Sequence, residues 1–179
     1  MSNTTEIKQL YLQENKETQL HSKRVAKLCV EIGSIYGLNK NLMYTIGLNH
    51  DVGKIFIPQR VLKKNSKLSN VERELIDMHA YFGYKLLKNA GYKREICIPI
   101  LYHHGFDKPK ASEIEEKMPT QQELLCANIV AIADIYDALT SSRKYHQKRS
   151  SEEALRIMKN EENINQEILN LLIERNFFR

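Results

Sequence analysis

His50 and Asp51 stand side by side in the run L-N-H-D-V-G-K-I-F-I-P, and the other histidines are spread around that pair at long range. Of the six histidines, five (His21, His50, His79, His103 and His104) fall where a buried metal cluster would need them. Two carboxylates, Glu17 and Asp134, complete the set. If these side chains share one chemistry, the fold must bring segments far apart in the chain to a single point.

The segments that carry them read as helices. Leu20, Val25, Leu28, Ile32 and Ile35 recur at helical steps, and Gly37 suits a stop. A second helix should run from about Lys40 to the His50–Asp51 pair. Gly53 and Pro58 then break the pattern, so V-G-K-I-F-I-P is expected to be a loop. Ser69 and Glu72 form a capping box ahead of one helix, V-E-R-E-L-I-D-M-H-A-Y-F-G-Y-K-L-L, closed by Gly91. R-E-I-C-I-P-I-L-Y-H-H is another, with Pro99 either kinking it or marking its start. Residues 105–120 read as a loop. The long run Q-Q-E-L-L-C-A-N-I-V-A-I-A-D-I-Y-D-A-L follows. Ser150 and Glu153 suggest a further cap, and N-Q-E-I-L-N-L-L-I-E-R closes the chain. No segment alternates as a strand would, and no repeat or linker divides the sequence. The expectation is an all-α, single-domain helical bundle over 1–179 with a buried multinuclear metal site.

Composition narrows the setting. With 179 residues, 42% hydrophobic and 27% charged, the chain suits a globular domain with a substantial core. The net charge of +5 is compatible with an anionic substrate. Its Lys and Arg are dispersed, however, and mark no DNA groove. Nothing resembles a signal peptide or a membrane span. Cys29, Cys97 and Cys126 are scattered, which suits reduced core thiols in a cytoplasmic protein.

Neutral imidazole and carboxylate together suit Fe, Mn, Co, Ni or Zn, and a thiolate site is not expected. Glu17 and His21 are four apart on a helix and share a face. His50 and Asp51 lie at a helix end, where adjacent residues can serve neighbouring metals. Ligands from several helices converging inward are how bundles build two-metal sites. Taken singly, each residue has an ordinary reading. His79 could be a hydrogen-bonded core histidine, Asp134 a buried partner of a histidine, and Glu17 a solvated helix glutamate. The case rests on co-occurrence.

The order of motifs resembles the HD superfamily of metal phosphohydrolases, particularly its HD-GYP branch. E-T-Q-L-H-S-K-R-V is similar to that branch's E-T-G-x-H-x-x-R-V, with Gln19 in place of glycine. H-D-V-G-K-I-F-I-P resembles H-D-I-G-K-I-x-I-P almost letter for letter. V-L-K-K-N-S-K-L-S-N-V-E, M-H-A-Y-F-G, H-H and A-D-I-Y-D-A-L-T-S-S-R-K-Y follow in order, so the likeness spans roughly 15–160. It implies that His21, His50, Asp51, His79, His103, His104 and Asp134 hold metal, with Asp51 bridging. Glu17 matches a ligand of members that hold a third metal. Two or three divalent ions are implied, Fe or Mn foremost, with Ni, Co, Mg or Zn as alternatives. Lys54 would face the scissile phosphate, although a lysine after glycine is by default a solvated loop residue. Arg143 sits where the family uses a basic residue on the substrate phosphate. Asp137 would lie at the substrate rim. His146, in place of a usual Arg or Lys, belongs to the same substrate set.

The resemblance also has a gap. After H-H the family carries E-R-x-D-G-x-G-Y-P-x-G-L, whereas this chain has G-F-D-K-P-K-A-S-E. Asp107 keeps one position, and the G-Y-P is absent. The loop from Gly105 to Thr120, with Glu113, Glu115 and Glu116, is expected to be open. The implied function is a phosphodiesterase of cyclic di-GMP or a related cyclic or linear dinucleotide. The alternatives are a nucleotide phosphomonoesterase of the wider superfamily, a di-iron oxygenase, and a non-catalytic nucleotide- or partner-binding module. Regulation is expected from expression, metal supply or a separate partner, and a homodimer is the other protein partnership the reading allows.

Overall fold

The computed structural model describes residues 16–105, 117–142 and 148–178. Among them the chain is helical and holds no strand. Helix α1 spans Lys16–Ile35. Its buried stripe runs His21, Val25, Cys29, Ile32, the spacing of one helix face. His21 therefore belongs to the core stripe. Leu20, counted in the periodic run, is instead 55% exposed. Gly37 ends α1 with a φ of 69°, and the Leu38 amide donates to the Gly33 carbonyl at 2.9 Å.

Helix α2, Lys40–Asn49, is capped by Asn39, whose side chain accepts from the Leu42 amide at 3.0 Å. It crosses α1 at Gly47, where a Cβ would stand 2.8 Å from the Cα of Ala26. Only a glycine permits that approach, which brings the ends of α1 and α2 carrying His21 and His50 together.

The segment expected as a loop is a 3₁₀ turn, Val52–Phe56. The Lys54 amide donates to the Asp51 carbonyl at 2.9 Å and the Ile57 amide to the Lys54 carbonyl at 3.0 Å, so the tight turn satisfies its own backbone. Short α3, Gln59–Leu62, follows Pro58. The single helix expected after Ser69 is two: α4, Asn70–Asp77, with its Ser69/Glu72 capping box, and α5, His79–Asn89, broken at Met78. In an unbroken helix the Ile76 carbonyl would serve residue 80. Here it takes the Met78 amide and the His79 ring nitrogen.

Gly91, with φ 81°, follows α5. Helix α6, Arg94–Tyr102, contains Pro99 within it. Helix α7, Gln121–Thr140, starts at a Thr120/Glu123 capping box. Helices α8, Ser151–Met158, and α9, Gln166–Glu174, carry caps at Ser150 and Asn165. Helices α1, α2, α6 and α7 form the core, α5 packs on α6 and the 3₁₀ turn, and α8 and α9 pack on α7. Ile129, Val130, Ile132 and Ala133 of α7 are fully buried. Each large aliphatic among them contributes about 1.5–3 kcal/mol of burial. Asp134, next in line, is thus delivered to the centre of the bundle. All three cysteines are buried thiols. No described helix is long and apolar enough to cross a membrane.

Candidate metal centre

Three helix ends supply the histidines. His50 follows α2, His79 stands two residues past the end of α4, and His103 follows α6. Each turns its Nδ1 to the carbonyl three residues back: His50 to Gly47 at 2.8 Å, His79 to Ile76 at 2.6 Å, His103 to Ile100 at 2.6 Å. Carbonyls in a helix's last turn lack the usual intrahelical donor four residues on. These contacts satisfy them and place the ring proton on Nδ1. Nε2 is left as a lone pair aimed inward, the form a metal takes.

The inward atoms make two groups, His21–His50–Asp51 and His79–His103–His104, each with its ligand atoms within 4.8 Å of one another. Asp134 joins the first, 3.0 Å from His21 Nε2 and 3.7 Å from His50 Nε2. Asp51 stands between them. Its Oδ2 is 3.5 Å from His50 Nε2 and 3.8 Å from His21 Nε2, while its Oδ1 is 3.3 Å from His79 Nε2. In the second group His79 Nε2 lies 3.1 Å from His104 Nε2 and 3.4 Å from His103 Nε2.

These residues fit a cation. His50 Nε2 and Asp51 Oδ1 are buried without a hydrogen-bond partner, which is costly unless something else satisfies them. The Nε2 lone pairs of His79 and His103 face one another, an unfavourable contact that a shared positive charge reverses. The donor set of imidazole and carboxylate suits a divalent ion.

The two groups differ electrostatically. Burial pushes His79 down to about 4, with Asp51 opposing and Lys54 adding to the fall. Burial and then His104 hold His103 well below its usual range, and burial lowers His104 too. These imidazoles are neutral at neutral pH. In the first group burial opposes protonation, but hydrogen bonds to Asp134 and Asp137 raise His21 to about 9. Against burial, Asp51 and Asp134 raise His50. Burial likewise opposes ionisation of Asp51 and Asp134, yet Lys54 and His50 hold Asp51 low, and His21 and His50 hold Asp134 low.

Lys54, in the 3₁₀ turn, is 31% exposed and donates to Asp51 Oδ2 at 2.6 Å. Glu17 is exposed in the first turn of α1 and belongs to neither group. Asp137, expected at a substrate rim, is instead buried behind His21, because it lies on α7 one turn beyond Asp134 and faces α1. It accepts from His21 Nδ1 at 2.7 Å, from Arg24 Nε at 2.6 Å and Nη2 at 3.0 Å, and from Ser141 Oγ at 2.9 Å. Although burial opposes it, His21 and Arg24 hold its carboxyl down to about 2. Sequence reasoning gave Arg24 no role. The signal was its place three residues after His21, on the same face of α1. Arg143, His146, Asp107, Glu113, Glu115 and Glu116 lie outside the described residues.

The family model for the HD domain matches residues 18–139. Over 144 residues the chain is 31% identical to 3'3'-cGAMP-specific phosphodiesterase 1 of Vibrio cholerae, covering 79% of this chain and 33% of that protein. Over 146 residues it is 30% identical to a cyclic di-GMP phosphodiesterase of Thermotoga maritima, covering 78% and 39% respectively. The chain thus spans 33% to 39% of the length of these relatives. The fold matches the HD domain of the L. monocytogenes phosphodiesterase PgpH with a TM-score of 0.62 at 20% identity, over 96% of this chain and 84% of that one.

Proposed function

The chain belongs to the HD domain family, and from that premise we propose that it is a metal-dependent phosphodiesterase of cyclic dinucleotides. Cyclic di-GMP or a related cyclic dinucleotide is the substrate, with the linear dinucleotide as a second one. The observation that carries this reading is Asp51, which offers one carboxylate oxygen to each of two histidine groups. Two divalent ions held by His21, His50 and Asp134 on one side and His79, His103 and His104 on the other, with Asp51 between, would acidify a water and neutralise phosphate oxygens. The thiolate-free donor set is compatible with Fe or Mn, the ions the family resemblance puts first, and with Ni, Co, Mg or Zn as alternatives. Glu17, one turn before His21, is the residue for a third ion.

The chain's own groups supply the rest. Nδ1 of each of His50, His79 and His103 is committed to a carbonyl, so these rings keep one tautomer and one aim. Lys54 lies on the partly exposed side of Asp51. From there its ammonium meets the charge that grows on a phosphate oxygen during cleavage. Arg143 is the proposed contact to a substrate phosphate, and His146 is a further proposed contact to the substrate.

The substrate class rests on the two relatives named for cyclic dinucleotides. The replaced stretch after His104 bears on selectivity, so cyclic di-GMP turnover should be weak or altered. A generic diester such as bis(p-nitrophenyl) phosphate should still be cleaved, because that needs the metals alone. Three buried thiols suit a reducing, cytoplasmic setting. The test is anaerobic purification, metal analysis, and a hydrolysis panel of cyclic and linear dinucleotides and the generic diester with Mn or Fe. Metals bound without cleavage of any of them would overturn the enzyme reading in favour of a binding module.

A further inference from the structure

His21 differs from the other three buried histidines of the site. His50, His79 and His103 rest their Nδ1 on neutral backbone carbonyls. His21 rests its Nδ1 on the Asp137 carboxylate and turns Nε2 to Asp134. The ring is pinned between two carboxylates one helical turn apart on α7. Asp137 is 3% exposed, and a buried carboxylate held by one imidazole alone is poorly compensated. The Ser141 hydroxyl gives one neutral hydrogen bond at 2.9 Å, and Arg24 supplies the remaining charge. It sits one turn from His21 on α1, and its Nε and Nη2 fork across both Asp137 oxygens. That planar fork fixes the carboxylate's rotation as well as its charge.

We infer that Arg24 is a positioning residue which, through Asp137 and His21, sets the metal affinity of the His21–His50–Asp51–Asp134 group and leaves the His79–His103–His104 group alone. The physical reason is that a carboxylate behind an imidazole raises its strength as a ligand and fixes its orientation. A carboxylate free to rotate does neither well. Three carboxylates and Arg24 surround the first group, whereas the second has three imidazoles and one Asp51 oxygen. Arg24 therefore bears on one group only. The inference rests on the two-metal reading above.

The test titrates the metal-free full chain with Mn²⁺ against a competing chelator and counts ions per chain by elemental analysis. Wild type should show two binding steps, and His21→Ala should identify the step that belongs to its group. Arg24→Met should weaken that same step by about 10- to 100-fold, the usual cost of losing a supporting contact, and leave the other unchanged. Arg24→Lys, which keeps the charge without the fork, should fall between. The Arg24→Met/Asp137→Asn double variant should bind no more weakly than Asp137→Asn alone, because Arg24 acts through Asp137. Equal weakening of both steps, full additivity in the double variant, or an indifferent Arg24→Met would each overturn the inference. Circular dichroism monitors folding. If Arg24→Met does not fold, Arg24→Lys decides: a shift confined to the His21 step supports the inference, and no shift overturns it. A wild-type chain that holds no Mn²⁺ would overturn the two-metal reading as well, whereas normal binding with an indifferent Arg24 variant would overturn this inference alone.

Discussion

Gly53 lies so close to His79 that a Cβ on it would overlap the His79 carbonyl oxygen and the amide nitrogen of Gly83. The 3₁₀ turn after Asp51 and the start of α5 therefore meet backbone to backbone. That meeting sets Asp51 Oδ1 3.3 Å from His79 Nε2 and joins the two histidine groups. A side chain at residue 53 would wedge them apart.

Gly53→Ala should accordingly destabilise the chain by about 1–3 kcal/mol, the usual range for overpacking, and lower the metal held per chain. Urea unfolding and elemental analysis check this. A variant as stable and as metal-rich as wild type would show that the turn shifts without cost.

Asp51→Ala should lose metal from both groups at once while keeping its helical content, since Asp51 faces both and forms no part of the apolar core. Elemental analysis with far-ultraviolet circular dichroism reads the two effects separately. Retention of one full equivalent of metal would mean that Asp51 serves one group only.

Lys54→Ala should keep its metals and turn over about 10²–10³-fold more slowly, as for loss of a donor to the transition state. Steady-state kinetics on bis(p-nitrophenyl) phosphate with the metal content measured alongside is the check. Unchanged turnover would leave Lys54 as a partner of Asp51 and nothing more.

Glu72, in the capping box of α4, is held down to about 2, first by Lys64 and then by the Ser69 backbone amide. A carboxyl lowered on folding stabilises fully above its unfolded value near 4.5, and that contribution is lost as pH falls through about 2. The Glu72 side-chain carbon, followed by NMR, should titrate near 2, and higher in Lys64→Met. A midpoint at the ordinary 4.5 in wild type would remove the pair from the account.

Chelation should lower thermal stability in proportion to the metal removed. Ions bound only by the folded chain add RT ln(1 + [L]/Kd), about 2.7 kcal/mol at a hundredfold excess over Kd. A melting temperature indifferent to chelator and to added Mn²⁺ would argue against a resident ion.

Much of this protein is legible in its residues taken in order. The helical period around Val25 and Ile32, the stops at Gly37 and Gly91, and the caps at Ser69 and Ser150 are local signals, decided within one or two turns of chain. The histidines, Asp51 and Asp134 are recognisable only as a set, by their type and order along the chain. What joins them is not local. The break at Met78 depends on a carbonyl being taken by the His79 ring, and the 3₁₀ turn depends on Gly53 meeting α5. Asp134 and Asp137 look alike in A-D-I-Y-D-A-L. One faces the histidine cluster and the other is buried behind His21 on Arg24, because α7 crosses α1 at that height. Spacing places residues on a helix face. Only the packing of one helix on another decides what that face meets, since the partner comes from more than a hundred residues away.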